Sequence, residues 1–282
     1  MIVYFNGEFL PKSEVRVSPD DRGFLFGDGV YEAIRADRGR LFAAELHFRR
    51  LARSLRELRI AEPDLAQIRA AITGVLERSA LTNCKAAVYI QITRGAAPRR
   101  HAFPAGDVPP TVYMTARAFT PPDALLANGA KIILVPDTRW GRCDIKSLNL
   151  LPNVLASQQA QEAGAYDAVF VRDGIAIEGS HTSFAAIFDG TLVTHPLTNH
   201  ILPGVTREVV LDLCRELDIP AREAPIEAAT LPNADELMLL GTTTEVMPVV
   251  QVDDWAVRDE RPGGITQRLQ KALRQRMALA NS

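Results

Sequence analysis

The run IVYFNGEFL, close to the amino terminus, alternates apolar and polar side chains on either side of Asn6-Gly7, a dipeptide suited to the left-handed backbone of a two-residue hairpin turn. VYEAIRADRGRLFA repeats that pattern with its turn at Asp37 to Gly39, so two β-hairpins are predicted. The period then lengthens. In AAELHFRRLARSLRELRI the residues Leu46, Leu51, Leu55 and Leu58 recur at helical spacing, and in DLAQIRAAITGVLERSAL the residues Leu65, Ile68, Ile72 and Leu76 do the same. Two amphipathic helices are expected. AAVYIQITRG and TVYMTARAF return to strand-like patterning, and the segment APRRHAFPAGDVPP between them is too polar and proline-rich for a sheet interior.

The paired prolines and the final Asn-Gly of FTPPDALLANG suggest a connector at residues 119–129, dividing a smaller α/β domain, residues 1–118, from a larger one, residues 130–282. Beyond the connector KIILVPD, YDAVFVRD, IAIEG, SFAAIFDG, TLVTH, ELMLLG and VMPVVQV read as short strands bounded by Gly, Pro or Asp-Gly turns. Helices are expected near Asn153 to Ala163, Thr206 to Leu217 and Ile265 to Ala280. Many strands with few helices predict a mixed α/β fold whose second domain is barrel-like.

Composition narrows the functions open to such a chain. A length of 282 residues agrees with two hydrophobic cores, and 47 % hydrophobic with 23 % charged residues is ordinary for a folded globular protein. A net charge of −2 offers no positive field for nucleic acid or an anionic membrane, so small molecules or protein partners are expected. No apolar run approaches the roughly 20 residues that cross a bilayer, and MIVYFNGEF lacks the plan of a secretory signal. The cytoplasm is the expected compartment. Cys84, Cys143 and Cys214 are too few and too scattered for a disulfide framework or a zinc site, and Cys143 is expected to be a structural thiol.

Candidate chemistry begins at RCDIKSLNLLPNVLA, where Lys146 lies between Ile145 and the apolar residues Leu148, Leu150 and Leu151. An amine set against apolar side chains is a Schiff-base nucleophile if it sheds its proton, and otherwise a lysine with a buried stem and a wet head. Glu178, at the end of the strand-like IAIEG, offers a carboxylate of the kind that keeps a pyridine nitrogen protonated. A phosphate cradle is suggested twice. ILPGVTREVVLDL runs from Gly204 into a helix beginning Val205, Thr206, Arg207, and LLGTTTEV sets Gly241 before the hydroxyls of Thr242, Thr243 and Thr244. Arg50 adds a candidate fixed cation.

DRGFLFGDGVYE, TRGAAPRRHAFP, RWGRCDIKSLNLLPNVLA, Glu178-Gly179, THPLTNHILPGVTR and TTTEVMPV stand in the order and approximate spacing of the D-amino-acid aminotransferases, and the chain resembles them over its whole length. They belong to the fold type IV pyridoxal-phosphate enzymes, with branched-chain aminotransferases and aminodeoxychorismate lyases. The resemblance implies that Lys146 bonds to pyridoxal 5′-phosphate and shuttles the substrate proton, and that Glu178 holds the pyridine nitrogen. Leu202 would lie against the ring, while Arg50, Val205, Thr206 and Thr242 would bind phosphate. Tyr31 would stand beside the substrate carboxylate, which Arg99 and His101, reached from a neighbouring subunit of a homodimer, would grip. Amino groups would then pass between D-amino acids and 2-oxo acids by a ping-pong route. Where relatives often carry EGSSSN this chain has EGSHTS, so His181 is new and Ser183 replaces an asparagine, and Gly241 stands where a serine is frequent.

The alternatives within the fold are a branched-chain L-amino-acid aminotransferase, an (R)-amine transaminase and an aminodeoxychorismate lyase. Outside it stand a cofactor-free binding module and a metal hydrolase using His181, His195 and His200, whose spacing suits no zinc pattern. No metal is expected.

Overall fold

The computed structural model describes residues Met1–Leu279. The described residues divide into two compact units, one of Met1–Thr120 with Ile145–Asn149, the other of Pro121–Asp144 with residues 150–279.

In the first unit β1 (Ile2–Phe5) and β2 (Glu8–Pro11) form the expected hairpin, with Asn6 at φ 48° and Gly7 at φ 100° in the turn. A short helix α1 (Arg22–Phe26) precedes β3 (Gly29–Asp37) and β4 (Arg40–Leu41). Helices α2 (Ala44–Glu57) and α3 (Leu65–Arg78) lead to β5 (Lys85–Thr93) and β6 (Thr111–Ala118). The strands make one antiparallel sheet in the order β2-β1-β6-β5-β3-β4. Val30 and Ile34 of β3, Ile90 of β5 and Met114 of β6 pack with Leu51 and Leu55 of α2 and Ile68, Ile72 and Leu76 of α3. The same alternation that defines the strands therefore builds the core. Each of these side chains contributes about 1.5–3 kcal/mol by leaving water.

The second unit begins with α4 (Asp123–Asn128) and β7 (Ala130–Pro136), followed by α5 (Leu151–Glu162), β8 (Asp167–Arg172), β9 (Ile175–Gly179), β10 (Ser183–Phe188) and β11 (Thr191–Thr194). Then come α6 (Val205–Glu216), β12 (Ala221–Glu223), β13 (Ile226–Glu227), β14 (Glu236–Gly241), β15 (Glu245–Val252), β16 (Trp255–Ala256) and α7 (Gly264–Leu279). Strands β10-β14-β15-β7-β8-β9 pair in sequence, and a bridge between Ser183 and Glu178 joins β9 back to β10, which closes a ring of six. Residues of β8, β10 and β14 are buried in nearly continuous runs, as strands covered on both faces must be. Ala156 and Ala160 of α5, for example, pack on Ala168 and Phe170 of β8.

Several expectations change. Residues 119–129 are not a bare connector: Leu126 of α4 is buried in the second unit's core, so that unit starts at Pro121. Lys146, expected in the second domain, lies in a segment that groups with the first. Residues Gly29 to Tyr31 extend past the short β4, and their vacant backbone groups take up that segment. Tyr31 N–H donates to Lys146 O at 3.0 Å, and Leu148 N–H donates to Gly29 O at 3.0 Å. Helix α1 and strands β12, β13 and β16 were not anticipated. Being so short, they leave too few residues for a period to register. The terminal helix was expected to run to Ala280, which lies outside the described residues.

Candidate active site

In the first unit Lys146 has a half-buried side chain whose Nζ stands 4.2 Å from the centroid of the Tyr31 ring on β3. Its own backbone fixes this placement, since Lys146 N–H donates to Ser54 Oγ of α2 at 3.2 Å while its carbonyl is held by Tyr31. Among the described residues no carboxylate pairs with the amine. The apolar neighbours differ from those expected, because Leu151 is 69 % exposed and the amine faces an aromatic ring instead. Tyr31 in turn lies 5.8 Å from the Tyr89 ring.

Beneath this strand sits a closed polar cluster. Glu32 is fully buried and accepts from Arg50 Nε at 2.7 Å and Nη2 at 2.9 Å, with His47 Nδ1 at 2.8 Å from Oε2. Burial opposes ionisation of Glu32, but the charge and hydrogen bonds of Arg50, helped by His47, outweigh it and bring the carboxyl down to about 2. Burial lowers the His47 pKa despite Glu32, and the nearby charges of Arg50 and Lys146 push the same way. Arg50, the candidate phosphate cation, therefore has two of its donors on an internal acid.

Arg99 and His101 are exposed, and the fold brings them together around one ring. Arg99 Cζ lies 5.2 Å and the His101 ring 5.7 Å from the Phe26 centroid.

In the second unit Glu178 occupies the penultimate position of β9, where the ring of strands closes, and is 6 % exposed. One oxygen accepts from Arg139 Nη1 and the other from Leu202 N–H at 3.0 Å, which joins Glu178 to Leu202. Arg139 is itself held by Asp137 through Nε at 2.9 Å and Nη2 at 3.0 Å, donates to His200 O at 3.1 Å, and lies over the Phe170 ring at 4.2 Å. A buried carboxylate needs such a partner, since its desolvation would otherwise cost several kcal/mol.

Helix α6 starts at Val205 after Gly204, with no side chain capping its first turn, so its leading N–H groups and the Thr206 hydroxyl form an anion-binding end. The approach to that end is tight. A Cβ on Gly204 would come within 2.3 Å of Ser183 Oγ, the hydroxyl that stands where relatives carry an amide. Thr242 lies half-buried in the turn after β14, and Thr244 is tied to the Tyr166 hydroxyl at 3.1 Å. An uncapped helix start, a hydroxyl-bearing turn and a glycine without room for a side chain fit a phosphoester. The carboxylate at Glu178, presented with its own cation, fits a protonated pyridine nitrogen.

The other candidates have different occupations. His181 places Nδ1 3.1 Å from Ser180 Oγ and 3.5 Å from Asp167, with its side chain 48 % exposed. His195 hydrogen-bonds to the Pro196 carbonyl, and among the described residues no cluster of His, Cys, Asp and Glu could hold a metal. Burial pushes the Cys143 thiol up to about 11, which disfavours the thiolate near neutral pH, as in a structural thiol.

Sequence reading missed Glu32, His47 and Arg139. Signals existed for the first two: Glu32 falls on the inward face of β3 with Val30 and Ile34, and His47, Arg50 and Ser54 follow helical spacing beside Leu51 and Leu55. Nothing local marks Arg139.

A family model described as amino-transferase class IV matches residues 29–252. A D-alanine aminotransferase of Staphylococcus haemolyticus is 42 % identical over 273 residues, covering 96 % of each chain, and one of Bacillus licheniformis is 41 % identical over 277 residues, covering 97 % of this chain and 96 % of its own. Among solved structures, the Escherichia coli branched-chain amino acid aminotransferase superposes with a TM-score of 0.90 at 26 % identity, over 97 % of this chain and 93 % of that one. With its fold type IV architecture and this similarity over nearly its whole length, the chain belongs to the class IV amino-transferase family.

Proposed function

We propose that the chain is a pyridoxal-phosphate-dependent transaminase that exchanges amino groups between D-amino acids, such as D-alanine, and 2-oxo acids. The observation that carries this reading is Lys146, an amine held over the Tyr31 ring with no acidic partner among the described residues. Similarity to D-alanine aminotransferases at 42 % and 41 % identity supports the D-amino-acid preference. The cofactor supplies, when bound, an aromatic aldehyde that delocalises the electron pair left on the substrate α-carbon.

The chain's own residues do the rest. Lys146 would be the covalent anchor of the cofactor and, as a free amine, the base that takes the substrate α-proton and returns it as an acid. Glu178, opposed by Arg139, would accept a hydrogen bond from the pyridine N–H, and Leu202 would lie against the ring. Val205 and Thr206 at the start of α6, and Thr242, would hold the phosphate, and Arg50 is the cation proposed for it. Tyr31, Arg99 and His101 orient the substrate carboxylate, which decides the face of the α-carbon presented to Lys146.

The test is a visible spectrum before and after D-alanine, with L-alanine as the control. Bleaching by the D-isomer alone is expected, and bleaching by L-alanine alone would favour a branched-chain L-type enzyme. Lys146→Ala should abolish the cofactor's visible band and lower turnover by at least the roughly 10²–10⁴ that a positioned general base supplies. A variant that keeps both rejects the role of Lys146. The reading includes a homodimer, because Arg99 and His101 would serve a neighbouring subunit, and sedimentation reports it directly. It includes the cytoplasm as the working compartment, which agrees with the three unpaired cysteines and with the lack of a described helix long and apolar enough to cross a membrane.

A further inference from the structure

The loop bearing Arg99 and His101 is exposed, yet its backbone is fastened from inside by one buried cation. Arg22 of α1, 3 % exposed, donates from Nη1 to Arg100 O at 2.6 Å and to Ala102 O at 3.4 Å, and from Nη2 to His101 O at 3.4 Å. Three consecutive carbonyls thus turn toward a single guanidinium. Arg22 is anchored in its turn, with Nε on Asp28 Oδ2 at 2.8 Å. Arg94 grips the same carboxylate at 2.7 and 2.9 Å and also donates to the carbonyls of Leu58 and Arg59. Burial favours the neutral acid at Asp28, but hydrogen bonds from Arg94 and Arg22 prevail and keep it below the usual carboxylate range. The side chains follow the backbone. Arg22 also lies over the Phe26 ring at 4.8 Å, the ring that Arg99 and His101 flank, and Phe103 at the loop's far end sits against Arg94 at 3.7 Å and Arg59 at 4.8 Å.

A polar surface loop normally leaves its carbonyls to water and samples many conformations. Burying a guanidinium to collect three of them is costly, and the return is a fixed backbone. We propose that Arg22 is a positioning residue for substrate recognition: it holds residues 100–102 so that Arg99 and His101 are both kept at the Phe26 ring as a preformed carboxylate clamp. The inference rests on the reading of Arg99 and His101 as that clamp, and it names what builds it. Lysine could keep the charge at position 22 but has no planar fork to serve three acceptors.

The experiment is a double-mutant cycle on the holoenzyme, with Arg22→Lys, Arg99→Ala and the pair, reading KM and kcat for D-alanine together with hydrogen exchange at residues 99–103. Arg22→Lys should raise KM about tenfold or more with little change in kcat, a misplaced binding group weakening capture, and should speed exchange in the loop. Arg99→Ala should raise KM as well, and adding Arg22→Lys to it should cost nothing further, since Arg22 acts through the clamp. If Arg99→Ala leaves KM unchanged, the clamp reading itself fails and the inference falls with it. If Arg99→Ala raises KM but Arg22→Lys does not, or if the two effects multiply, only the role of Arg22 is overturned. Should Arg22→Lys not fold, Asp28→Asn keeps the shape while loosening the hold on Arg22, and the same KM shift and the same cycle are expected of it. Its lack of effect would equally overturn the proposal.

Discussion

Glu32 in the first unit and Glu178 in the second are both buried carboxylates facing an arginine, but they are satisfied in opposite ways. Around Glu32 one acid is shared by two bases, Arg50 and His47. Around Arg139 one base is shared by two acids, Glu178 and Asp137, with the His200 carbonyl as a third acceptor. The difference decides what is left when the arginine goes. Loss of Arg50 leaves an acid beside a histidine that can take up a proton. Loss of Arg139 leaves two buried carboxylates and one guanidinium, Arg172 on Asp137, between them.

The largest expected effect follows directly. Arg139→Met should lower the free energy of unfolding by about 3–5 kcal/mol, the usual result of stranding one member of a buried ion pair. Arg50→Met should cost less, about 1.5–3 kcal/mol, the worth of hydrogen bonds to a charged group, because His47 remains as a partner. Urea titration of both variants gives the ranking, and a reversed order would break the comparison.

The pH dependence sharpens it further. His47 is lowered from its ordinary 6.5 by burial, so as pH falls through 6.5 the unfolded chain takes a proton that the folded one refuses, and stability declines. His195, lowered chiefly by burial, acts in the same direction. Glu32 falls from 4.5 to about 2, so its contribution is complete above 4.5 and is lost as pH drops toward 2. The urea midpoint should therefore decline in two stages. Glu32→Gln should remove much of the second stage, and an unchanged acid limb in that variant would show that Glu32 is not its source. The smallest effect belongs to an exposed pair. A double-mutant cycle on Glu45 and Arg69, whose side chains are 74 % and 47 % exposed, should give a coupling of no more than about 1 kcal/mol.

Much of the candidate site was legible because its residues interrupt a pattern or sit at the end of one. Lys146 breaks an apolar run, Glu178 closes a strand, and Val205 with Thr206 opens a helix behind a glycine. Arg139 has no such mark. It lies in the irregular stretch after β7, and its meaning comes from Glu178, a residue 39 positions away. Arg50 shows the converse: visible on an amphipathic helix, it reads as a candidate phosphate cation, and although its helix face and the inward face of β3 are both marked, only packing pairs it with Glu32. The domain limits behaved similarly. Turn residues marked a break near Pro121, but only backbone pairing with Gly29 and Tyr31 drew Ile145–Asn149 into the first unit.

By itself the sequence determined the longer elements, because hydrophobic period and turn chemistry act over a few residues, and it marked Lys146 and Glu178 as side chains whose chemistry matters. Tertiary structure alone decided the partnerships: Lys146 with Tyr31, Glu178 with Arg139, Arg22 with the carbonyls of a loop 78 residues onward. The physical reason is that burial selects among many possible ion pairs the few that satisfy every charge at once, and that choice exists only after distant segments have been brought together.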